Sequence, residues 1–213
     1  MIPVGPHAGQ AELRNGPAVA DAGKAVIAIH GRGAGAADII SLARAIDLPD
    51  VAWLAPEASS HTWYPYSFLM PVEQNQPFLD SALSVVGGLL QHLEDSGIPG
   101  ERVVLLGFSQ GACLASEFMA RHPRRYGGLV VFSGGLIGSE IDPSGYSGDL
   151  GGTPVVGGCS DIDPHIPLAR FEITGQVMEA VGAEVDFRVF PGMGHTINLE
   201  ELAAARDLIA AVG

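Results

Sequence analysis

A chain of 213 residues, 47% of them hydrophobic, is long enough for a single domain with a large core. Its formal charge of −13, with Lys24 as the sole lysine, speaks against nucleic acid as a partner and against stable membrane association. No apolar run approaches the length of a transmembrane helix, and the opening MIPVGPHAGQ lacks the basic start and apolar core of a signal peptide, so a cytoplasmic location is expected.

Residues 1–24 are expected to form an N-terminal edge hairpin, with Asn15-Gly16 as its turn. Ala25 to His30 is a continuous apolar run and reads as a buried parallel strand. It leads into the glycine-rich turn His30-Gly31-Arg32-Gly33-Ala34-Gly35, a helix over Ala36 to Ile46 and a strand over Val51 to Ala55. Pro56 to Pro77 is a long loop rich in large side chains, a length that in compact domains points to function. A helix follows over Phe78 to Ser96, its Gly87-Gly88 pair read as an allowance for close packing on the sheet. Strands are expected at Val103 to Leu106, Leu129 to Phe132, Val155 to Gly158 and Val185 to Phe190. Helices are expected from Ala112, over Ile166 to Val181 and over Leu199 to Ala211. Strands alternating with helices predict an α/β fold: a mostly parallel sheet with right-handed crossovers and helices on both faces. Ligands bind such sheets at the carboxyl ends of the strands.

The centre of the chain is Gly107-Phe108-Ser109-Gln110-Gly111, between an apolar strand and a helix. Glycine-x-serine-x-glycine in that context is a nucleophile elbow, a sharp turn that projects the serine hydroxyl from the end of the sheet. The glycines let strand and helix approach closely around it. Asp161 or Asp163 and then His195 follow, the chain order serine, acid, histidine. A histidine after the last strand is placed to act as general base and then general acid, with a buried aspartate fixing its tautomer. An oxyanion hole needs two preset backbone N–H donors. One is expected from Gln110, directly after the nucleophile, and the other from the glycine-rich turn near Arg32. The Arg32 side chain reads by default as an exposed arginine. The same turn lacks the Gly-Lys-Ser/Thr ending of a phosphate loop. Asp161, Asp163 and His165 alternate along a loop and do not make a convincing metal site, and Cys113 and Cys159 read as small buried hydrophobes.

His30-Gly31-Arg32-Gly33, Gly107 to Gly111, Asp163-Pro164-His165-Ile166-Pro167 and Gly194-His195 together resemble the phospholipase/carboxylesterase family, which includes acyl-protein thioesterases and small bacterial carboxylesterases. The resemblance runs from about Ala25 to the end of the chain. It implies an α/β-hydrolase fold without a large cap domain, a Ser109–His195–Asp triad and no cofactor. It also implies backbone oxyanion donors at Arg32 and Gln110, and it matches Trp63 to a tryptophan of the family. Two anchors of the family pattern disagree about the acid: Gly158 points to Asp161 and Pro164 to Asp163. The longer block favours Asp163, and the other aspartate is then expected to cap the following helix. Ala112 stands where a second glycine is common after the elbow.

The long loop supplies Trp63, Tyr64, Tyr66, Phe68, Leu69 and Met70 as candidate substrate-binding residues beside Ser109. The expected activity is hydrolysis of small-molecule carboxylic esters of short to medium acyl chain. An acyl-protein thioesterase or lysophospholipase uses the same machinery on another substrate. A ligand-binding protein of the same fold is the alternative from a different class, and labelling of Ser109 by a serine-reactive phosphonate separates it from an enzyme.

Overall fold

The structure is a computed structural model and describes residues 4–213. Its seven strands are β1 (Glu12–Asn15), β2 (Lys24–Ile29), β3 (Val51–Pro56), β4 (Val103–Phe108), β5 (Gly128–Phe132), β6 (Pro154–Ser160) and β7 (Glu184–Phe190). They form one sheet in the order β1-β3-β2-β4-β5-β6-β7. Every neighbouring pair is parallel except β1 with β3. The helices are α1 (Ala36–Ile40), α2 (Leu42–Ile46), α3 (Phe78–Asp95), α4 (Gln110–Arg121), α5 (Leu168–Ala180) and α6 (Leu199–Ala211).

The central strands are buried on both faces, which is why they read as unbroken apolar runs. Side chains still alternate. Ile27, Ile29 and Leu105 join α3, α4 and α5 in one core, while Val26, Ala28, Val104 and Leu106 join α1, α2 and α6 in the other. Each fully buried Leu, Ile or Val side chain contributes about 1.5–3 kcal/mol relative to an exposed one. This is the mostly parallel, two-faced α/β architecture expected from the sequence.

Three local expectations need correction. Within the described part of residues 1–24, a single strand, β1, precedes β2. It pairs antiparallel with β3, Glu12 opposite Pro56 and Asn15 opposite Trp53, rather than with a second arm of a hairpin. Residues 1–3 of the expected hairpin lie outside the described residues. The Asn15-Gly16 turn has a steric cause: Gly16 has φ +82°, and a Cβ there would lie 2.1 Å from the Val51 carbonyl oxygen. The helix expected over Ala36 to Ile46 is two short helices meeting at Ser41, whose hydroxyl donates back to the Asp38 carbonyl at 2.6 Å. Gly87 packs against another helix and not the sheet, since its nearest neighbour is the Phe118 ring of α4.

The parallel strands end at one edge. β2 leads into His30-Gly31-Arg32, β3 into the aromatic loop, β4 into Ser109, β6 into Asp161 to Asp163 and β7 into the segment that carries His195. Residues far apart in the chain therefore meet at the carboxyl edge of the sheet.

Candidate active site

Ser109 sits between β4 and α4 with φ 54° and ψ −118°, a strained conformation for a residue with a Cβ. The turn is held by the Ser109 N–H donating to the Phe132 carbonyl at 2.9 Å and by the Cys113 N–H donating to the Ser109 carbonyl at 3.0 Å. Both elbow glycines are sterically required. A Cβ at Gly107 would lie 2.4 Å from the Ala112 nitrogen, and one at Gly111 would lie 2.1 Å from the Ile29 carbonyl oxygen.

His195 Nδ1 and Asp163 Oδ2 lie in hydrogen-bond contact at 2.7 Å. The other Asp163 oxygen accepts from the N–H groups of His165 at 2.8 Å and Ile166 at 3.0 Å. Burial pushes the Asp163 carboxyl up. The hydrogen bonds from His195, His165 and Ile166 outweigh it and hold the group below the usual carboxylate value. Asp163 therefore faces the imidazole as an anion. The Phe108 ring lies 4.8 Å from the His195 ring and the His165 ring 4.8 Å on another side, so the imidazole is set beside the elbow. Asp161 turns elsewhere. It accepts from the Gly192 N–H at 2.8 Å and bridges to the turn that precedes His195, so it does not cap α5 as expected.

Gln110 opens α4, and the first intrahelical bond is made by Cys113, so the Gln110 N–H has no carbonyl partner within the helix. In the glycine-rich turn, Gly33 donates to His61 and Ala34 to Gly31, while the Arg32 N–H has no backbone partner among the described residues. Gly31 keeps this turn close to the elbow, since a Cβ there would lie 3.3 Å from the Ser109 Cβ.

These groups line one cleft of about 480 Å³. Ser109, Phe108, His195, His165 and Ile166 line it together with Arg32, Gln110, Tyr66 and Phe68, and buried Tyr64 and Cys113 lie beneath them. A second cavity of about 500 Å³, lined by Glu117, Arg121 and Tyr146, contains neither Ser109 nor His195. Of the six loop residues expected at the substrate, Tyr64, Tyr66 and Phe68 line the cleft, whereas Trp63, Leu69 and Met70 do not. Trp63 is fully buried, and its indole N–H donates to the His30 carbonyl at 2.9 Å, which locks the ring behind the glycine-rich turn. Leu69 packs onto the core and Met70 faces solvent.

Three cleft features were not read from the sequence. Arg32 is exposed, as expected, but its guanidinium is engaged: it donates to the carbonyls of Tyr64, Pro65 and Tyr66 at 2.8, 2.9 and 2.7 Å. The Gln110 side chain accepts from the Trp63 N–H at 2.9 Å and donates to the Tyr64 carbonyl at 2.9 Å. Cys113, one helical turn beyond Ser109, forms part of the cleft wall. Burial pushes its thiol up to about 12, so it stays protonated and does not compete with Ser109 as a nucleophile.

Behind the site, the start of α6 carries a reciprocal cap. Asn198 accepts from the Glu201 N–H and Glu201 from the Asn198 N–H, both at 2.9 Å. The other Glu201 oxygen is buried without a partner and faces Gly158, where a Cβ would lie 2.2 Å from it. Burial pushes this carboxyl up to about 7. Its raised folded value favours the folded state most at low pH, and that contribution is lost as pH rises from the ordinary glutamate value through about 7. Glu201→Gln is therefore expected to raise Tm by several degrees at pH 8, for a cost relieved of about 3 kcal/mol, and by much less at pH 5. Buried His7 and His30 act in the opposite direction, because burial holds both below the ordinary histidine value. They are common to both proteins and cancel in the comparison. Equal Tm gains at the two pH values would show that Glu201 is not the titrating group.

The chain matches the family model described as phospholipase/carboxylesterase over residues 17–212. It is 43% identical to the phospholipase/carboxylesterase of Dyadobacter fermentans DSM 18053, whose crystal structure has a TM-score of 0.92 and is matched over 98% of this chain and 99% of that one. It is 32% identical over 125 residues to acyl-protein thioesterase 1 of Neurospora crassa, covering 57% of this chain and 50% of the relative. It is 26% identical over 195 residues to a probable SOBER1-like carboxylesterase of Arabidopsis thaliana, covering 83% of this chain and 74% of the relative. The chain spans about half the length of the thioesterases it matches.

Proposed function

The chain belongs to the phospholipase/carboxylesterase family, and on that premise we propose that it is a serine carboxylesterase acting on short- to medium-chain esters. The observation that carries the reading is the Asp163–His195 contact of 2.7 Å in the same cleft as the strained Ser109 elbow. Ser109 attacks the ester carbonyl while His195 takes its proton. Asp163 holds His195 in the tautomer that can accept it and stabilises the imidazolium that forms. The backbone N–H groups of Arg32 and Gln110 receive the developing oxyanion. His195 then protonates the leaving alcohol, and water, activated by the same imidazole, releases the acyl group. No cofactor or metal enters this sequence.

The leaving oxygen must lie within reach of His195, so the alcohol portion belongs against His165, whose ring lies 4.8 Å from that of His195, and Ile166. The acyl portion then lies against Tyr66 and Phe68. An acyl-protein thioesterase or lysophospholipase reading differs only in substrate. The two free, buried cysteines accord with the reducing cytoplasm in which the proposal places this enzyme as a single catalytic domain.

Hydrolysis of p-nitrophenyl esters from acetate to palmitate tests the proposal. The expected result is a maximum of kcat/KM at short to medium chains. A maximum at palmitate would favour the thioesterase or lysophospholipase reading. No turnover on any ester, together with no phosphonate label on Ser109, would favour a binding protein.

A further inference from the structure

The aromatic loop has no regular secondary structure between Thr62 and Ser67, yet side chains from outside that stretch tie its backbone down at successive residues. Gln110 holds Trp63 and Tyr64, Arg32 holds Tyr64, Pro65 and Tyr66, and buried Asn75 holds Tyr66 and Ser67 at 2.9 and 3.1 Å. Arg32 makes no ion pair with a carboxylate among the described residues. Its planar fork is instead used on three consecutive neutral carbonyls, a geometry that a lysine ammonium cannot reproduce.

Arg32 and Gln110 are also the two residues whose backbone N–H groups are assigned to the oxyanion. The main chain of each faces the scissile carbonyl, while the side chain of each grips the loop that carries Tyr64 and Tyr66. The distance from the reacting carbonyl to this segment is thus set chiefly by two residues that belong to both, with Asn75 holding its far end.

We propose that the Arg32 side chain, supported by that of Gln110, is a positioning element that sets acyl-chain selectivity by holding the Tyr64–Tyr66 segment, and with it the exposed Tyr66 ring over buried Tyr64, at a fixed distance from the oxyanion site. The inference rests on the esterase reading and on the acyl group lying against that segment. An acetyl group scarcely extends beyond the reacting carbon, so displacement of the segment affects it least. A hexanoyl chain reaches the Tyr66 ring and senses the displacement fully. A shift on the order of 1 Å in such a contact costs up to about 100-fold in rate.

The test is the ratio of kcat/KM for p-nitrophenyl hexanoate to that for the acetate, in wild type, Arg32→Met, Arg32→Lys and Gln110→Glu. Arg32→Met is expected to lower the ratio about tenfold, with most of the loss in KM for hexanoate. Arg32→Lys keeps the charge but not the fork, and its ratio is expected to lie nearer the methionine variant than the wild type. Gln110→Glu keeps the acceptor for Trp63 but sets an oxygen against the Tyr64 carbonyl, and is expected to move the ratio in the same direction. It decides the matter if Arg32→Met does not fold. A lysine variant with the wild-type ratio, or a methionine variant that slows every ester equally, would overturn the proposal, since charge or general destabilisation would then be the cause. Ser109→Ala is run alongside. Activity that survives it sinks the esterase reading itself, whereas Ser109-dependent activity with an unshifted ratio sinks only the role of Arg32.

Discussion

Ser109→Ala is expected to lower kcat for p-nitrophenyl butyrate by about 10⁵- to 10⁶-fold, with little change in KM. The reason is local. Ser109 is the cleft hydroxyl held at the head of α4 beside the His195 imidazole, and the other nearby nucleophile, Cys113, is kept as a thiol by burial. The variant keeps the backbone donors proposed for the oxyanion and the cleft walls, so a residual rate above that in water is expected from binding and oxyanion stabilisation. The alanine variant should also fail to take a fluorophosphonate label. The fold accommodates the change without a clash, because alanine retains the Cβ already present at φ 54°. Circular dichroism and Tm close to wild type would separate lost chemistry from lost structure. A variant that still turns over butyrate within tenfold of wild type would remove Ser109 from the mechanism.

The second large effect is a contrast between two aspartates. Asp163→Asn is expected to lower kcat by about 10⁴-fold. Its retained carbonyl oxygen still accepts from His165 and Ile166, so the loop survives. Its new amide N–H₂, however, faces His195 Nδ1 as a donor. That favours the tautomer with the proton on Nε2, which cannot receive the Ser109 proton. Asp161→Asn disturbs only the acceptor for the Gly192 N–H and, at 3.5 Å, the Ser160 hydroxyl, bonds worth about 1 kcal/mol each, and is expected to cost less than about tenfold. Measuring kcat/KM for both variants between pH 5 and 9 tests the pair directly. If Asp161→Asn proves the more damaging of the two, the acid is wrongly assigned.

Much of this arrangement was legible in the chain. Strands β2 to β5 are apolar runs because both faces of a covered parallel sheet are buried, and that signal is carried by consecutive residues, whereas the edge strand β7 shows itself by alternation. The edge strand β1 was harder to place. It has four residues, and its partner β3 lies some 40 residues further along, so nothing local distinguishes this pairing from a hairpin. The break between α1 and α2 at Ser41 depends on one hydroxyl bonding to a carbonyl three residues back, which hydrophobic periodicity does not register.

The site divides in the same way. The nucleophile elbow is a local device: its serine, its two glycines and the strand and helix around them are adjacent in sequence, and their steric requirements appear directly as residue types. The order of serine, acid and histidine and the glycine-rich turn after β2 are likewise readable, since strand ends in a parallel sheet share an edge. Tertiary structure alone decided which groups on that edge touch. Asp161 and Asp163 are two residues apart and chemically identical. Asp163 meets His195 because its loop is tied by the N–H groups of His165 and Ile166, while Asp161 is drawn to Gly192. Trp63 and Tyr66 lie three residues apart, yet one is locked behind the glycine-rich turn by the His30 carbonyl and the other is exposed at the cleft. In an irregular loop no period assigns side chains to faces. Their direction is set by hydrogen bonds to Arg32, Gln110 and Asn75, residues that come within reach only when the sheet has assembled. The sequence by itself determined the chemistry available at the sheet edge, because reactive groups and tight turns are properties of adjacent residues. The tertiary structure determined the partner of each group and the shape of the cleft wall, because both depend on contacts between segments distant in the chain.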